Sequence, residues 1–592
     1  MNVLVPLLLA AAVFLLAGRF YARFIARSVG EKADRPTPAV TLNDGRDYVP
    51  TERFVVFAHH FSAIAGAGPI LGPTMAILYG FVPAWLWVVL GGVFIGAVHD
   101  YATLFISMRE GGKSMAEVAR KTLGGAGFNL FISFTIVMIV LVTSSFLSAT
   151  AISLTSLWPL AKIGVREGET FLKTVVRDGV VMGRIGGIAS MSVVVITLCS
   201  PLLGVLLHKK GLKTAHAYVL AAAVCAGSIV LGIIFPVTLA STTWMVLISV
   251  YVLVAAGVPV WLILQPRDFI NVQILYGGIG LMIVSLLSCG VQGLRVTAPR
   301  FNLAEGTLNL GFVWPMMFIT IACGAISGFH CLVGGGTTGK QLAREPHARH
   351  VGFNAMLLES FLAVCVLLAL GGAMAFTDYK AVVWPADPAV KSNPILGFSL
   401  AAGRLFHQGL GIPVALGTVF GILLVEGFVV TTLDAAVRLN RYLFEELWTI
   451  VFKRVPSLFR HYWVNSGLAV LLMWVLAYSN AFNALWPIFG AANQLLAAMA
   501  LLTASAWLLL RRRRNWYTLV PAVFMVVTTL VALGILLVNY IRDSRYLLIG
   551  ADLLLLALAA GVVTLAVRTF LKRGRLSAPV ENVEARAGLG PE

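Results

Sequence analysis

The sequence predicts an all-α, polytopic membrane protein of about 14–15 transmembrane helices with an inverted repeat at its core. Three observations predict it. Of 592 residues, 59% are hydrophobic and 12% charged, with a mean hydropathy of +0.89, whereas an average soluble domain is about one quarter charged. Apolar runs of about 17–25 residues or more recur from end to end, each long enough to cross hydrocarbon. Two of those runs, of opposite direction, are broken by glycine around an embedded histidine, and paired interrupted helices are the mark of an inverted repeat.

The net charge of +18 is the kind of value that accompanies nucleic-acid binding. Here, however, the basic residues sit in short clusters between apolar runs, as cytoplasmic loops do, and no nucleic-acid partner is expected. All six cysteines fall inside apolar segments without a CxxC pair, which reads as small core residues, neither a disulfide framework nor a zinc site. Arg19, Arg23 and Arg27 follow the first apolar run instead of preceding it, the flank of an uncleaved span with its N-terminus outside.

Taken in order, the runs lie near 3–18, 54–79, 84–108, 126–158, 185–207, 214–236, 241–264, 271–292, 309–333, 351–376, 409–434, 462–479, 486–510, 516–541 and 547–568. The first is short. Alternation from a cytoplasmic 19–53 places 32 of the 44 Lys and Arg residues inside, the expected direction of bias, and leaves the C-terminus cytoplasmic. The two long outer stretches, 159–184 and 377–408, are of mixed charge and suit short surface helices. The expected organisation is an N-terminal span and linker (1–53), a first repeat with extra helices (54–308), a second repeat (309–510), peripheral helices (511–575) and a disordered tail (576–592).

The stretch Phe54–Pro73, FVVFAHHFSAIAGAGPILGP, organises the rest. His59 and His60 sit in a helical first half, while Gly66, Gly68, Gly72, Pro69 and Pro73 predict a non-helical second half over Gly66–Pro73. Backbone freed in this way is tolerated at membrane depth only against protein or a water-filled cavity. Residues 321–340, IACGAISGFHCLVGGGTTGK, repeat the pattern around His330 and predict a second interruption over Gly324–Gly339. Exposed N–H groups around Gly66–Ile70 and Gly334–Thr338 are the expected carboxylate site. Candidate substrate-binding residues are therefore His59, His60, Gly66, Gly68, Ile70, Ser327, His330, Gly334, Thr337 and Thr338.

Ion coupling needs titratable or oxygen-rich side chains within the spans. His99 and Asp100 fall at similar depth to His60 on the next, antiparallel helix, and Glu359 is their counterpart after the second interruption. VEGFVVTTLDAAVRLNRY places Glu426 deep and Thr431, Thr432 and Asp434 nearby, a set suited to a proton relay or to sodium. The competing structural readings are a His99–Asp100 lock between helices, a Glu359–Arg349 pair and an Asp434–Arg438 pair at i, i+4. Asn493 and Gln494, in FGAANQLLAAMAL, are read as helix–helix hydrogen-bonding groups. Two motifs are rejected: GGGTTGK has Gln341 where a P-loop needs Ser or Thr, and Gly66-x-Gly68 lacks the strand of a dinucleotide fold. HExxH is absent, and His347 and His350 lie in a basic loop, so no metal or cofactor is expected.

RFVVFAHHFSAIAGAGPILGP, GAVHDYATLFISMREGGKSMAEVARKTLG, FITIACGAISGFHCLVGGGTTGK with ESF after it, TTLDAAVRLNRY and FGAANQLLAAMAL together resemble the carbon starvation protein A family of bacterial inner-membrane transporters. The resemblance spans Arg53 to Leu501. It implies a five-plus-five inverted-repeat core like that of the amino acid–polyamine–organocation (leucine-transporter-like) transporters, with core helices starting near 54 and 309. It also implies a secondary active transporter, not an enzyme, that imports pyruvate or short peptides when carbon runs short, by proton symport or alternatively with sodium. The chain departs from the family after His330, where members more often carry Ser residues and a Pro than Cys331, Gly334–Gly336 and Gly339. Two alternatives stand beside it: an intramembrane metal-dependent enzyme using His59, His60, His99 and Asp100, and a nutrient-binding sensor.

Overall fold

The computed structural model describes residues 1–44, 48–163, 172–210, 214–259, 262–387 and 390–572. Among them, thirteen helices are long and apolar enough to cross a membrane, and a bent pair, Arg53–Ile64 with Gly68–Tyr79, makes a fourteenth. Ser241–Gly257, a shorter apolar helix, occupies a further expected position. The chain is thus a helical multi-pass membrane protein. The residues expected to form the disordered tail lie outside the described residues.

Helix α1 (Leu4–Val29) is longer than its apolar run, because Arg19, Arg23 and Arg27 continue the helix beyond it. Helices α2 (Arg53–Ile64) and α3 (Gly68–Ala76) form the first interrupted span, bent by 46°. Next come α4 (Phe81–Arg109), α5 (Gly125–Ser153), α6 (Ile185–His208), α7 (Thr214–Ile234), α8 (Ser241–Gly257) and α9 (Leu264–Val291). The second interrupted span is α10 (Phe318–Ile321) and α11 (Phe329–Gly336). It is followed by α12 (Arg349–Ala373), α13 (Phe376–Val383), α14 (Pro394–Leu410) and α15 (Val414–Val451). The chain closes with α16 (Tyr462–Ser479), α17 (Phe482–Leu510), α18 (Trp516–Arg542) and α19 (Tyr546–Lys572).

Hydrogen bonds sort the loops onto two faces. One face gathers the N-terminus, Tyr79–Phe81, Leu294–Asn302 and Gly371, through Val3 N–H to Leu294 O, Phe81 N–H to Pro299 O, Asn302 N–H to Tyr79 O and Thr297 N–H to Gly371 O. The other joins Thr51 N–H to Gln341 O, Lys32 N–H to Glu345, Arg109 to Glu345 and Arg511 to Glu110. On this second face Glu110, just past α4, accepts from Lys121, Trp507 and Arg511 at 2.6–2.8 Å. Burial opposes its charge, but these bonds outweigh burial and hold the carboxyl below its ordinary value.

Three expectations are corrected. Among its described residues the stretch 159–184 carries one turn of 3₁₀ helix at Leu160–Ile163 and a small antiparallel sheet, Trp158–Pro159, Val180–Gly183 and Thr174–Arg177 in that order, in place of a purely helical surface segment. Its β-branched TVVR and VVM runs flank the Asp178-Gly179 turn, at positive φ, that a tight hairpin favours. The stretch 377–408 holds α13 and α14, and α14 is buried against α15, with Gly403 beside Thr418 and Gly421 beside Ser399. Finally, the span expected at 271–292 begins at Leu264, which carries Arg267 and Asp268 into the bundle.

The two interruptions pack directly against each other. A methyl group at Gly68 would collide with Cys323, and one at Gly72 with the Ile321 carbonyl. On the other side Gly490 of α17 and Gly96 of α4 are equally close to the Ile319 and Ala325 carbonyls. The wide turn of α4 at Gly92–Gly96 bends that helix onto the second interruption, a use of π geometry that recurs at functional sites. Backbone-to-backbone approach of this kind admits only glycine. Gly72→Val should therefore abolish a monodisperse folded peak in fluorescence-detected gel filtration, whereas Gly534→Val, with open space around it, should leave the peak unchanged.

Candidate substrate and proton site

The first interruption is shorter than its glycines and prolines suggested. Only Ala65–Ala67 leaves the helix, and Gly68–Ala76 is helical. Pro69 falls in the first turn of α3, where a missing N–H costs nothing, and the Thr74 hydroxyl bonds the Ile70 carbonyl at 2.6 Å. Gly66 and Ile70 already donate their N–H groups, to the Ile64 and Ala67 carbonyls. Of the expected carboxylate donors over Gly66–Ile70, Gly68 therefore keeps a free N–H, together with Ala67.

The second interruption runs from Ala322 to Gly328 and is corrected at its far end. Gly334, Gly335 and Gly336 lie within α11, so their N–H groups are spent in helical bonds and form no anion nest. Thr337 is exposed and bonds back to Val333. Ser327 faces α17, 3.2 Å from the Asn493 amide oxygen. Thr338 is buried and meets His60 Nδ1 at 2.9 Å.

Around these interruptions five ionisable side chains are buried to 2% exposure or less: His60, His99, Asp100, His330 and Glu359. Four of them form one chain of contacts. Asp100 takes His99 Nδ1 on Oδ1 and His330 Nδ1 on Oδ2, both at 2.7 Å. His330 Nε2 lies 3.2 Å from Glu359 Oε2, within ion-pair distance but outside hydrogen-bond geometry. An imidazole with both nitrogens facing carboxylates satisfies both only when both carry a proton; with one proton, Glu359 must carry another. Asp100, His330 and Glu359 thus form a relay with room for a variable proton count. His60 Nε2 and His99 Nε2 have no partner.

Other expected residues fall elsewhere. His59 lies on the exposed face of α2, away from the chain of contacts, because adjacent helical residues point about 100° apart. Glu359 does not pair with Arg349, which binds Glu31 at 3.2 Å. Asp434 pairs with Arg267 at 3.2 Å and accepts from the Tyr251 hydroxyl at 2.6 Å, so it serves a tie between α8, α9 and α15 and does not join the histidines. Arg438 instead donates to the Ala255 and Val258 carbonyls. Glu426 faces Thr150 and Ser153 of α5. Thr432 stands opposite Gly66, and Thr431 accepts from Asn271 at 3.1 Å.

Sequence reading missed Arg267, Asp268, Tyr251 and Asn271. Asp268, Asn271, Thr431 and Ser62 line a cavity of about 20 Å³ between α2, α9 and α15, room for one water or one small ion. The available signal is the adjacent Arg267-Asp268 pair, which lies between two apolar runs. Among the described residues no group of three or more His, Cys, Asp and Glu has the arrangement of a metal site.

The family model for carbon starvation protein CstA matches residues 2–388 and 372–532. This chain belongs to the CstA family. Among its relatives, the peptide transporter CstA of Campylobacter jejuni is 31% identical over 88% of this chain and 78% of its own length. The pyruvate/proton symporter BtsT of Escherichia coli is 31% identical over 89% of this chain and 80% of its own. Among solved structures, a manganese transporter of Eremococcus coleocola matches with a TM-score of 0.48 and 11% identity, over 90% of this chain and 99% of that one. The CstA-family chain is a transporter.

Asn493 and Gln494, expected as helix–helix hydrogen-bonding groups, bind the interruption in this CstA-family chain. Asn493 Oδ1 accepts from the Phe329 N–H at 3.1 Å, and its carbonyl accepts from the Gly328 N–H. Gln494 donates to the Phe318 carbonyl at 2.6 Å, and Trp486 to the Thr320 carbonyl at 3.0 Å. Asn493→Leu should cost about 1–3 kcal/mol, because it strands a buried donor. Gln494→Leu should cost less, since a carbonyl tolerates under-satisfaction better than an N–H. Thermal melts in one detergent measure the order.

Proposed function

We propose that the chain is a secondary active importer of a small carboxylate-bearing nutrient, pyruvate or a short peptide, driven by proton symport across the bacterial inner membrane under carbon limitation. The observation that carries this reading is the buried Asp100–His330–Glu359 chain, which joins α4 and α12 to the second interrupted helix, while the first interruption leaves the Ala67 and Gly68 N–H groups without a backbone partner. A substrate carboxylate at the start of α3 takes those two donors and the helix dipole. His60, near the end of α2, keeps an Nε2 without a hydrogen-bond partner. Glu359 or His330 then gains or loses a proton as the site changes its exposure. The names of the relatives, peptide transporter and pyruvate/proton symporter, support both substrate classes.

The proposed orientation keeps the N-terminus outside and the C-terminus in the cytoplasm. On α2, Val55 and His59 are exposed and Ser62 partly so, a line at helical spacing that leads from the inner face to the partly exposed Gly66 in the first interruption. That line is the proposed inner access path.

A second reading rests on one observation: Asp268, Asn271, Thr431 and Ser62 surround a cavity of single-ion size, with Thr432 nearby facing Gly66. Oxygen ligands of this kind suit sodium. Uptake into proteoliposomes, with pyruvate and dipeptides tested under separate proton and sodium gradients, decides between the two. Proton coupling predicts accumulation driven by a pH gradient without sodium. Glu359→Gln and His330→Gln should abolish that accumulation while counterflow exchange remains measurable. A strict sodium requirement, with both variants still accumulating, contradicts it. Amidated or esterified substrates should compete poorly; competition equal to the free acid removes the carboxylate site.

A further inference from the structure

Outside the core, a groove of about 830 Å³ runs between α1 and α12 and is walled by Phe14, Leu15, Leu357, Leu358 and Phe361. At one end the lining changes from apolar to basic, with Arg19, Arg23 and Arg349. A second recess of about 300 Å³ shares Arg23 and Arg349 and adds Arg27 and Glu31. Glu31 is engaged by Arg349 at 3.2 Å and by the Tyr101 hydroxyl at 3.0 Å. Among the described residues, neither Arg19 nor Arg23 has a carboxylate partner. The basic end therefore carries surplus positive charge that no acidic side chain balances. The groove follows α1 from Ala11 to Arg23, about 18 Å at helical rise, close to the half-thickness of a hydrocarbon core of about 30 Å. Gly18 lets the wall close in, because a methyl group there would meet the Asn354 side chain at 2.9 Å.

We infer that this groove binds an anionic phospholipid of the leaflet on the Arg19/Arg23 side, with its phosphate between Arg19, Arg23 and Arg349 and an acyl chain along Leu15, Leu358 and Phe361. Two features fix the occupant. The wall is apolar over the depth of one leaflet, which suits an acyl chain and not a soluble solute. The basic end lies where a headgroup phosphate sits, and guanidinium groups bind phosphate through paired N–H donors. Basic recesses between membrane helices recognise anionic headgroups in this way. The groove joins α1, which stands outside the interrupted-helix core, to α12, which carries Glu359. A bound lipid therefore fastens the peripheral helix to a helix of the transport site.

The test is native mass spectrometry of the purified full-length protein titrated with phosphatidylglycerol and with phosphatidylcholine of the same acyl chains. The expected result is preferential binding of phosphatidylglycerol. Arg19→Gln/Arg23→Gln should lower that affinity by about ten- to thirty-fold, from a contribution of roughly 1 kcal/mol per arginine. Leu358→Trp, which fills the groove without changing charge, should lower binding of either lipid while the protein stays monodisperse. Arg454→Gln/Arg460→Gln, equal in charge and exposed in the connection between α15 and α16, should change nothing. Equal binding of the two lipids, or an equal loss in the Arg454/Arg460 control, overturns the proposal. So does a dimer that Leu358→Trp disperses, since the occupant is then a second copy.

Discussion

The structure depends on satisfying the backbone that α10 and α11 leave open in the middle of a membrane span. Unpaired N–H and C=O groups in hydrocarbon cost several kcal/mol each, and no water reaches this depth from lipid. Helix α17 supplies the missing partners. Asn493 takes the Phe329 N–H, Gln494 and Trp486 donate to the Phe318 and Thr320 carbonyls, and Gly490 lets α17 come close enough to do so. This explains why α17 is buried along nearly its whole length, although it contributes nothing to the proposed relay.

Once the interruption is stable, its neighbours are placed by contact. Gly68 and Gly72 bring α3 against Cys323 and Ile321, and the wide turn at Gly92–Gly96 brings α4 against Ala325. The same approach sets Asp100 of α4 across from His330, the second residue of α11. Glu359 reaches His330 from α12 because Gly92 and Gly352 bring α4 and α12 together, beside Ser360 and the Asp100 carbonyl. A relay of carboxylate, imidazole and carboxylate is therefore a consequence of the packing around the break. Backbone geometry and proton chemistry are one arrangement here.

The spans were legible because hydrocarbon thickness fixes their length, so hydropathy found each of them, although helices such as Leu264–Val291 and Val414–Val451 run well past their apolar cores. The histidines and acids were legible for a related reason: an ionisable residue inside an apolar run needs a partner. Their partners were not. Sequence spacing places His59 and His60 together, yet a helix turns them onto different faces, one exposed and one buried. Gly334–Gly336 read as a loop because glycine is a poor helix former, but they end a helix in which Gly334 packs against Leu104 and Gly335 against Ser114. Arg267 and Asp268 read as loop charges because hydropathy cannot show a helix extending past its apolar run to bury an ion pair with Asp434. The tie of Asp434 to α9 and α8, rather than to Arg438 one turn on, is a tertiary choice that no local pattern encodes.

The most direct test of the account is whether substrate itself moves protons. Proteoliposomes holding a trapped pH-sensitive dye, in sodium-free buffer, should acidify internally when pyruvate or a dipeptide is added outside. Asp100→Asn should give no acidification while still exchanging labelled for unlabelled substrate. Substrate entry without any pH change in the unaltered protein, or an Asp100→Asn variant that acidifies as fast, would contradict the role given to Asp100, His330 and Glu359.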